Sequence, residues 1–329
     1  MCEKNGRICL RHDPELTICA SAIQSKAMNR VKHKATVSFL IVGAQKSGTT
    51  SLHRYLSAHP EIHMPGAKEI EYFSDDNNFQ RGLGWYLNQC AGRAQPGKII
   101  GEASTHYMMI EHVPKRIRDE FPHMKLIMLL RNPIDRAYSH YNMAVRRGVE
   151  AAPFQQAIKR LLRRGAPLPT LIDHDREFLM FGEYGRILTN YLAHFESAQI
   201  KVIFTEEMEA DPAAAIQDLY RFVGASPDFI PNNLATRYHS SGVQRFPGFS
   251  RWFRRKATLL KRKRWFNKYF WRIDLDRLAF LIETEINVKK VEAKGPTADI
   301  REILRNYYSA DVAVLETALG RKVPWGEFR

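Results

Sequence analysis

The stretch Val37-Ser38-Phe39-Leu40-Ile41-Val42-Gly43-Ala44-Gln45-Lys46-Ser47-Gly48-Thr49-Thr50 decides how the rest of the chain is read. Apart from Ser38, the run before Gly43 is apolar and rich in β-branched side chains, the pattern of a short strand buried on both faces of a parallel sheet. Beyond it, Leu52, Tyr55 and Leu56 recur at helical spacing over Thr49 to Ala58, and Pro60 closes the segment. A strand, a glycine-containing turn and a helix in this order aim backbone N–H groups at one spot, where they bind an anion. The glycines permit close backbone approach, Lys46 adds a full positive charge, and Ser47, Thr49 and Thr50 add hydroxyl donors. In a Walker-type ATP loop the lysine directly follows the last glycine. Here Lys46 stands two residues before Gly48, so that pattern fails. An ordinary strand-to-helix turn is the bland alternative, and it leaves the joint presence of lysine, glycine and three hydroxyls unexplained.

The strand–helix alternation continues outward. Lys98 to Glu102, Lys125 to Leu130 and Lys201 to Phe204 read as further strands. Asn132 before Pro133, and Asp211 before Pro212, are placed as N-cap and first helical residue of the helices that follow. Such alternation implies an α/β fold, a P-loop-like, doubly wound parallel sheet flanked by helices. Residues 1–34 carry no sustained period and read as an irregular tail, and 35–329 as a single domain. Ile300 to Leu319 is an amphipathic helix stopped by Gly320. Within the domain, 251–272 is a basic helical insertion with ten Lys/Arg, no acid and seven aromatic residues.

The chain has 329 residues and a formal charge of +15, which favours anionic partners such as nucleotides, charged glycans, nucleic acid or an anionic membrane surface. Cys2, Cys9, Cys19 and Cys90 form neither a disulfide framework nor a zinc spacing. No secretory signal pattern and no apolar run of membrane-spanning length is evident. The expected location is cytoplasmic, with peripheral binding at the inner face of the membrane as an option.

Two further elements carry chemistry. Arg131 ends the strand Leu129-Leu130, where open α/β sheets bind ligands, and its planar fork suits a phosphate. Ser139 lies eight residues on, about 130° from the stripe Ile134, Tyr138, Tyr141 and Val145, so it need not point into the core. Seen alone, either residue reads equally well as a strand-end ion pair or a solvated hydroxyl.

Lys46-Ser47-Gly48-Thr49-Thr50, with Arg131 and Ser139, resembles the sulfotransferases that use 3′-phosphoadenosine 5′-phosphosulfate (PAPS), especially the bacterial and heparan sulfate carbohydrate branch. The resemblance implies that Lys46 to Thr50 hold the phosphosulfate and that Arg131 and Ser139 hold the 3′-phosphate. Lys68-Glu69-Ile70-Glu71-Tyr72-Phe73 is similar to the family's Lys-Glu-x-x-Phe-Phe segment, which puts the catalytic base on Glu69 and leaves Glu71 a weaker candidate. A positioned carboxylate contributes roughly 10²- to 10⁴-fold when a poor nucleophile must lose a proton. Lys46 would stabilise the leaving phosphate oxygen. Lys294-Gly295 resembles a loop that closes over the nucleotide, although Pro296 stands where an arginine often follows. Gly101-Glu102-Ala103-Ser104-Thr105-His106-Tyr107 corresponds to an acceptor-cleft segment in which heparan enzymes carry lysine at the position of Ala103, which argues against assuming a heparan-like acceptor. A lone His106 is more often structural than substrate-binding.

The expected function is therefore sulfuryl transfer from PAPS, without a metal, to a hydroxyl or amine of a glycan or glycolipid. The stretch 251–272 suits peripheral contact with anionic lipid, a polyanionic glycan groove, or a solvated basic helix. A nucleotide-binding, kinase-like protein would need the Walker lysine and a metal-binding carboxylate. A nucleic-acid-binding protein would leave Lys46, Arg131 and Ser139 without a purpose, so nucleic acid is not an expected partner.

Overall fold

The structure, a computed structural model, describes residues 36–147, 150–163, 177–232, 234, 242–244, 288–290 and 295–329. In chain order the elements are β1 (Val37–Gly43), α1 (Thr49–Ser57), β2 (Ile62–His63), α2 (Asp76–Gln80), α3 (Leu83–Ala91), β3 (Ile99–Ala103), α4 (Val113–Glu120), β4 (Lys125–Leu130), α5 (Pro133–Arg147), α6 (Phe154–Arg163), α7 (Glu177–Met180), α8 (Tyr184–Leu192), β5 (Ile200–Phe204), α9 (Thr205–Ala210), α10 (Pro212–Val223), the short strands β6 (Gly242–Gln244) and β7 (Val288–Lys290), and α11 (Ala298–Leu319). A 3₁₀ turn spans Thr105–Met108 after β3.

The first five strands form one sheet in the order β2-β3-β1-β4-β5, every neighbouring pair parallel. The expected doubly wound α/β fold is thus observed. Sequence reading missed β2, because two residues carry no period. The strand β1 is central, and its alternation serves two cores: Leu40 and Val42 pack with α8 and α11 on one face, Phe39 and Ile41 with α1 and α10 on the other. Residues of this size contribute about 1.5–3 kcal/mol each when fully buried. From β1 the chain crosses toward β2 and β3, and after β3 it crosses back to β4. The strand order therefore reverses between β1 and β4, which is where sheets of this type open a crevice at their carboxyl ends.

The caps follow the sequence expectation. Asn132 Oδ1 accepts from Ile134 N at 3.0 Å, and Asp211 Oδ1 accepts from Ala214 N at 3.0 Å. The last helix is anchored by Asp311, whose carboxylate accepts from Gly185 N and Arg186 N, both at 2.8 Å, at the start of α8.

The inward stripe read for α5 requires correction. Val145 is 40% exposed, whereas Arg136, Ala137, Ser139, His140 and Ala144 are buried beside Ile134. Two basic side chains are drawn in because partners await them: Arg136 donates to the Phe178 carbonyl oxygen and lies 3.3 Å from His140 Nδ1. Ser139 is consequently 7% exposed rather than solvent-facing. The stretch 251–272, Lys294 and three of the four cysteines lie outside the described residues. The fourth, Cys90, is a free buried thiol, and burial pushes its pKa upward.

Candidate functional site

The turn after β1 is shaped by what crowds it. A side chain at Gly43 would collide with Met108, whose Sδ would lie 2.5 Å from the added Cβ. The peptide beyond is tied to β4 by Ala44 N donating to Leu129 O at 2.8 Å. Gly48 then adopts φ 96°, the left-handed region open to glycine. It is the N-cap of α1, and it caps nothing: no side chain accepts from the first turn, and no acid lies there. The first N–H groups of a helix have no intrahelical acceptor, so this end is polarised toward an anion. Lys46 is also held left-handed, at φ 73°, a conformation uncommon outside glycine and concentrated at functional sites.

The loop is braced from below. Thr205 Oγ1 contacts Ser47 O at 2.8 Å and Leu130 O at 2.9 Å, joining the loop to β4 and β5. Arg131, at the end of β4, donates from Nη1 to Lys46 O at 3.4 Å. The Ser47 hydroxyl is buried without a hydrogen-bond partner among the described residues. Tyr184 lies beside it but gives its proton to the Arg131 carbonyl, 3.0 Å away. Lys46, Ser47, Gly48, Thr49, Thr50 and Arg131 thus lie together at the switch point, and Ser139 lies two turns into α5.

The second half of the site comes from the loop after β2. Lys68 reaches back to α1, its Nζ 3.2 Å from Thr49 Oγ1 and 3.4 Å from Thr50 Oγ1. The same ammonium is 3.6 Å from Glu69 Oε1. Burial lowers the pKa of Lys68, opposed by the charge and hydrogen bond of Glu69. His53 packs nearby, its Nε2 3.2 Å from Pro65 O. Its pKa falls to about 4, first through burial and then through the Lys68 charge.

Glu69 Oε1 accepts from Thr105 Oγ1 at 2.7 Å. Burial raises its pKa, and a hydrogen bond with Glu71 pushes the same way. Glu71 behaves oppositely. Burial would raise it, but the hydrogen bond and charge of His106, with bonds from Glu69 and Ser74, carry it below the usual carboxylate range. His106 Nδ1 stands 2.6 Å from Glu71 Oε1 and 3.6 Å from Glu69 Oε2. These three side chains are a grouping of ligand-type atoms within 4.8 Å of one another; at 2.6 Å the His106–Glu71 contact is that of a hydrogen-bonded pair.

Beneath this layer lies Glu102, fully buried at the end of β3. Ser104 Oγ donates to Glu102 Oε1 and accepts from Ile70 N at 3.1 Å and Glu71 N at 3.0 Å, pinning the loop that carries both acids. Burial raises the pKa of Glu102 to about 8, so it is largely neutral at pH 7. Two strand-end loops therefore meet at one crevice, one presenting anion-binding backbone and cations, the other a carboxylate with raised proton affinity.

The Sulfotransferase domain family matches residues 37–241, which include both loops. The chain belongs to the sulfotransferase domain family. A sulfotransferase from Alicyclobacillus acidocaldarius has the same fold, with a TM-score of 0.61 and 25% identity over 88% of this chain and 98% of that one. The mouse bifunctional heparan sulfate N-deacetylase/N-sulfotransferase 4 is 31% identical over 198 residues, 58% of this sulfotransferase and 22% of the relative. The mouse heparan sulfate glucosamine 3-O-sulfotransferase 3B1 is 29% identical over 185 residues, 56% of this chain and 45% of that one. This sulfotransferase thus spans about a fifth of the length of the bifunctional relative and under half of the other.

Sequence reading passed over Lys68, Thr105 and Thr205 and left His106 as a structural histidine. The only signal for Lys68 was its place before Glu69. Thr105 and His106 become legible only once β3 is known to lie beside β2.

Proposed function

We propose that this sulfotransferase moves a sulfuryl group from PAPS to a hydroxyl or amine of a carbohydrate or glycolipid acceptor, with Glu69 taking the acceptor's proton. The observation that carries this reading is the bridging position of Lys68, which touches the two threonines of the phosphate loop and the Glu69 carboxylate at once. A donor on the loop and a hydroxyl beside Glu69 would meet within the reach of one side chain.

The residues fit a doubly anionic nucleotide. The α1 N-terminus has no capping side chain, Gly48 permits close backbone approach, and the buried Ser47 hydroxyl has a proton to give. On this reading Lys46, Ser47, Gly48, Thr49 and Thr50 hold the phosphosulfate, Arg131 and Ser139 hold the 3′-phosphate, and Lys294 closes over the nucleotide. Bound PAPS supplies the activated sulfuryl group and its phosphate leaving oxygen. The Glu69 carboxylate takes the proton of the attacking hydroxyl as the new oxygen–sulfur bond forms, and its raised proton affinity suits that task near neutral pH. The Lys46 ammonium offsets the charge left on the phosphate oxygen.

A carbohydrate acceptor is supported by kinship with enzymes named for heparan sulfate, one an N- and one a 3-O-sulfotransferase. Among the described residues no helix is long and apolar enough to cross a membrane. We place the enzyme in the cytoplasm, with 251–272 resting on anionic lipid when the acceptor is lipid-linked. The test is transfer of radiolabelled sulfate from PAPS to a panel of glycans and glycolipids, with product masses. Binding of 3′-phosphoadenosine 5′-phosphate is expected, weakened by Lys46→Ala; absence of both binding and transfer would overturn the reading.

A further inference from the structure

Glu69 and Glu71 sit two residues apart with carboxylate oxygens within 4.8 Å of each other, and such a pair does not ionise independently. Something must decide which of them carries the proton. His106 is placed to do so. Its Nδ1 is bonded to Glu71 at 2.6 Å and stands 3.6 Å from Glu69, so the imidazole favours one partner over the other. Ser74 adds a hydroxyl bond to the same Glu71 carboxylate, and Thr105 gives Glu69 one at 2.7 Å.

The backbone points the same way. Glu71 is left-handed, at φ 55°, a conformation that glycine would adopt without strain. Its N–H is held by Ser104 Oγ, and its carbonyl accepts from Asp75 N at 3.1 Å. A carboxylate is therefore kept where the chain favours glycine, and that carboxylate is spent on His106 and Ser74.

We propose that His106, clamped to Glu71, is a positioning residue of the transfer site: it holds Glu71 as a permanent anion and so leaves Glu69 as the member of the pair that takes up a proton. This inference rests on the reading of Glu69 as the base. The charged and titratable groups around the imidazole are Glu69, Glu71 and Lys68 on the loop after β2 and Glu102 at the end of β3. From α7 and the turn after it, the Phe181 ring packs on His106 at 5.8 Å, with Arg136 and His140 against that same ring. Among the described residues, Lys68 thus stands against Glu69 and favours its ionised form, and His106 is bonded to Glu71 and favours the ionised form of that one.

The full-length chain, labelled with carbon-13 at its glutamate carboxyls, reads the proton directly and needs no acceptor. Signals are assigned by their loss in Glu69→Gln and Glu71→Gln. In the wild type, Glu69 is expected to titrate above the ordinary glutamate range and Glu71 below it. In His106→Ala the two midpoints converge, Glu71 moving up, because the group that favoured its ionised form has gone. His106→Gln, which keeps an N–H donor without a charge, retains part of the separation and gives the reading should the alanine variant not fold. A separation unchanged by either substitution, or Glu71 titrating above Glu69 in the wild type, overturns the proposal. Failure of the base assignment shows differently: Glu69→Gln would keep its sulfate transfer while the wild-type separation persisted.

Discussion

The loop after β1 and the loop after β2 meet at Lys68, yet they are made of different material. The first uses backbone N–H groups, a left-handed glycine, hydroxyls and basic side chains. The second uses two glutamates and a histidine over a buried third carboxyl, each shifting its neighbours. On the proposed reading, anion binding is a matter of backbone shape, whereas proton transfer is a matter of mutual electrostatics. The two halves should therefore respond differently to mutation and to pH.

The sharpest way to separate them is Glu69→Gln. Transfer should fall roughly 10²- to 10⁴-fold, while the affinity for 3′-phosphoadenosine 5′-phosphate, read by calorimetry, stays near the wild type. In the wild type, transfer should decline on the acid side at a pH above the ordinary carboxylate range, since the raised Glu69 pKa must be passed before the base is free. Nucleotide affinity should stay flat over that window; if both fall together, the proposed division does not hold.

Lys46→Ala is the reciprocal experiment. Removing a charge-assisted contact from the loop should weaken nucleotide binding roughly 10- to 100-fold and leave the carboxylate titrations of the second loop in place.

Glu102→Gln probes the floor of the second loop. The unfolded glutamate ionises near 4.5 and the folded one near 8. Between those values the folded state binds the extra proton, and stability falls as pH rises. The amide removes that slope, so the variant should gain on the order of 4 kcal/mol at pH 8 and little at pH 4. Denaturant melts at the two pH values decide it.

The smaller of the two stability effects belongs to His53, beside Lys68. Its unfolded pKa is 6.5 and its folded value about 4, so the unfolded chain takes up the proton first and stability drops as pH falls from 6.5 toward 4. His53→Gln should lessen that acid loss by about 2 kcal/mol at pH 5, seen as a shallower fall in melting temperature.

The same contrast explains what could be read from the sequence. The first loop was legible because backbone shape leaves a local signature: glycine, lysine and hydroxyls at fixed spacing between a strand and a helix. The carboxyl ends of β1 and β4 were legible for the same reason, through Gly43 and Asn132-Pro133. Glu69 came only with the family motif, since an acid in a loop is ordinarily solvated. His106 and Thr105 lie 35 and 36 residues from their glutamate partners, and the pairing of β3 with β2 brings them together. On α5 the periodic reading placed Val145 inside, because hydropathy does not foresee that a carbonyl and a ring will receive Arg136 and His140.

The strand order has a practical corollary. Every segment that builds the crevice leaves its strand at the same end of the sheet, and the loop after β1 and the segment after β3 grow from neighbouring strands that share one parallel ladder. The connection from Ala103 to Met108 is tied to both halves: Met108 packs on Gly43, while Ser104, Thr105 and His106 hold the loop that carries Glu69 and Glu71. A graft from another member would therefore have to move this connection together with the loop after β2, as one block.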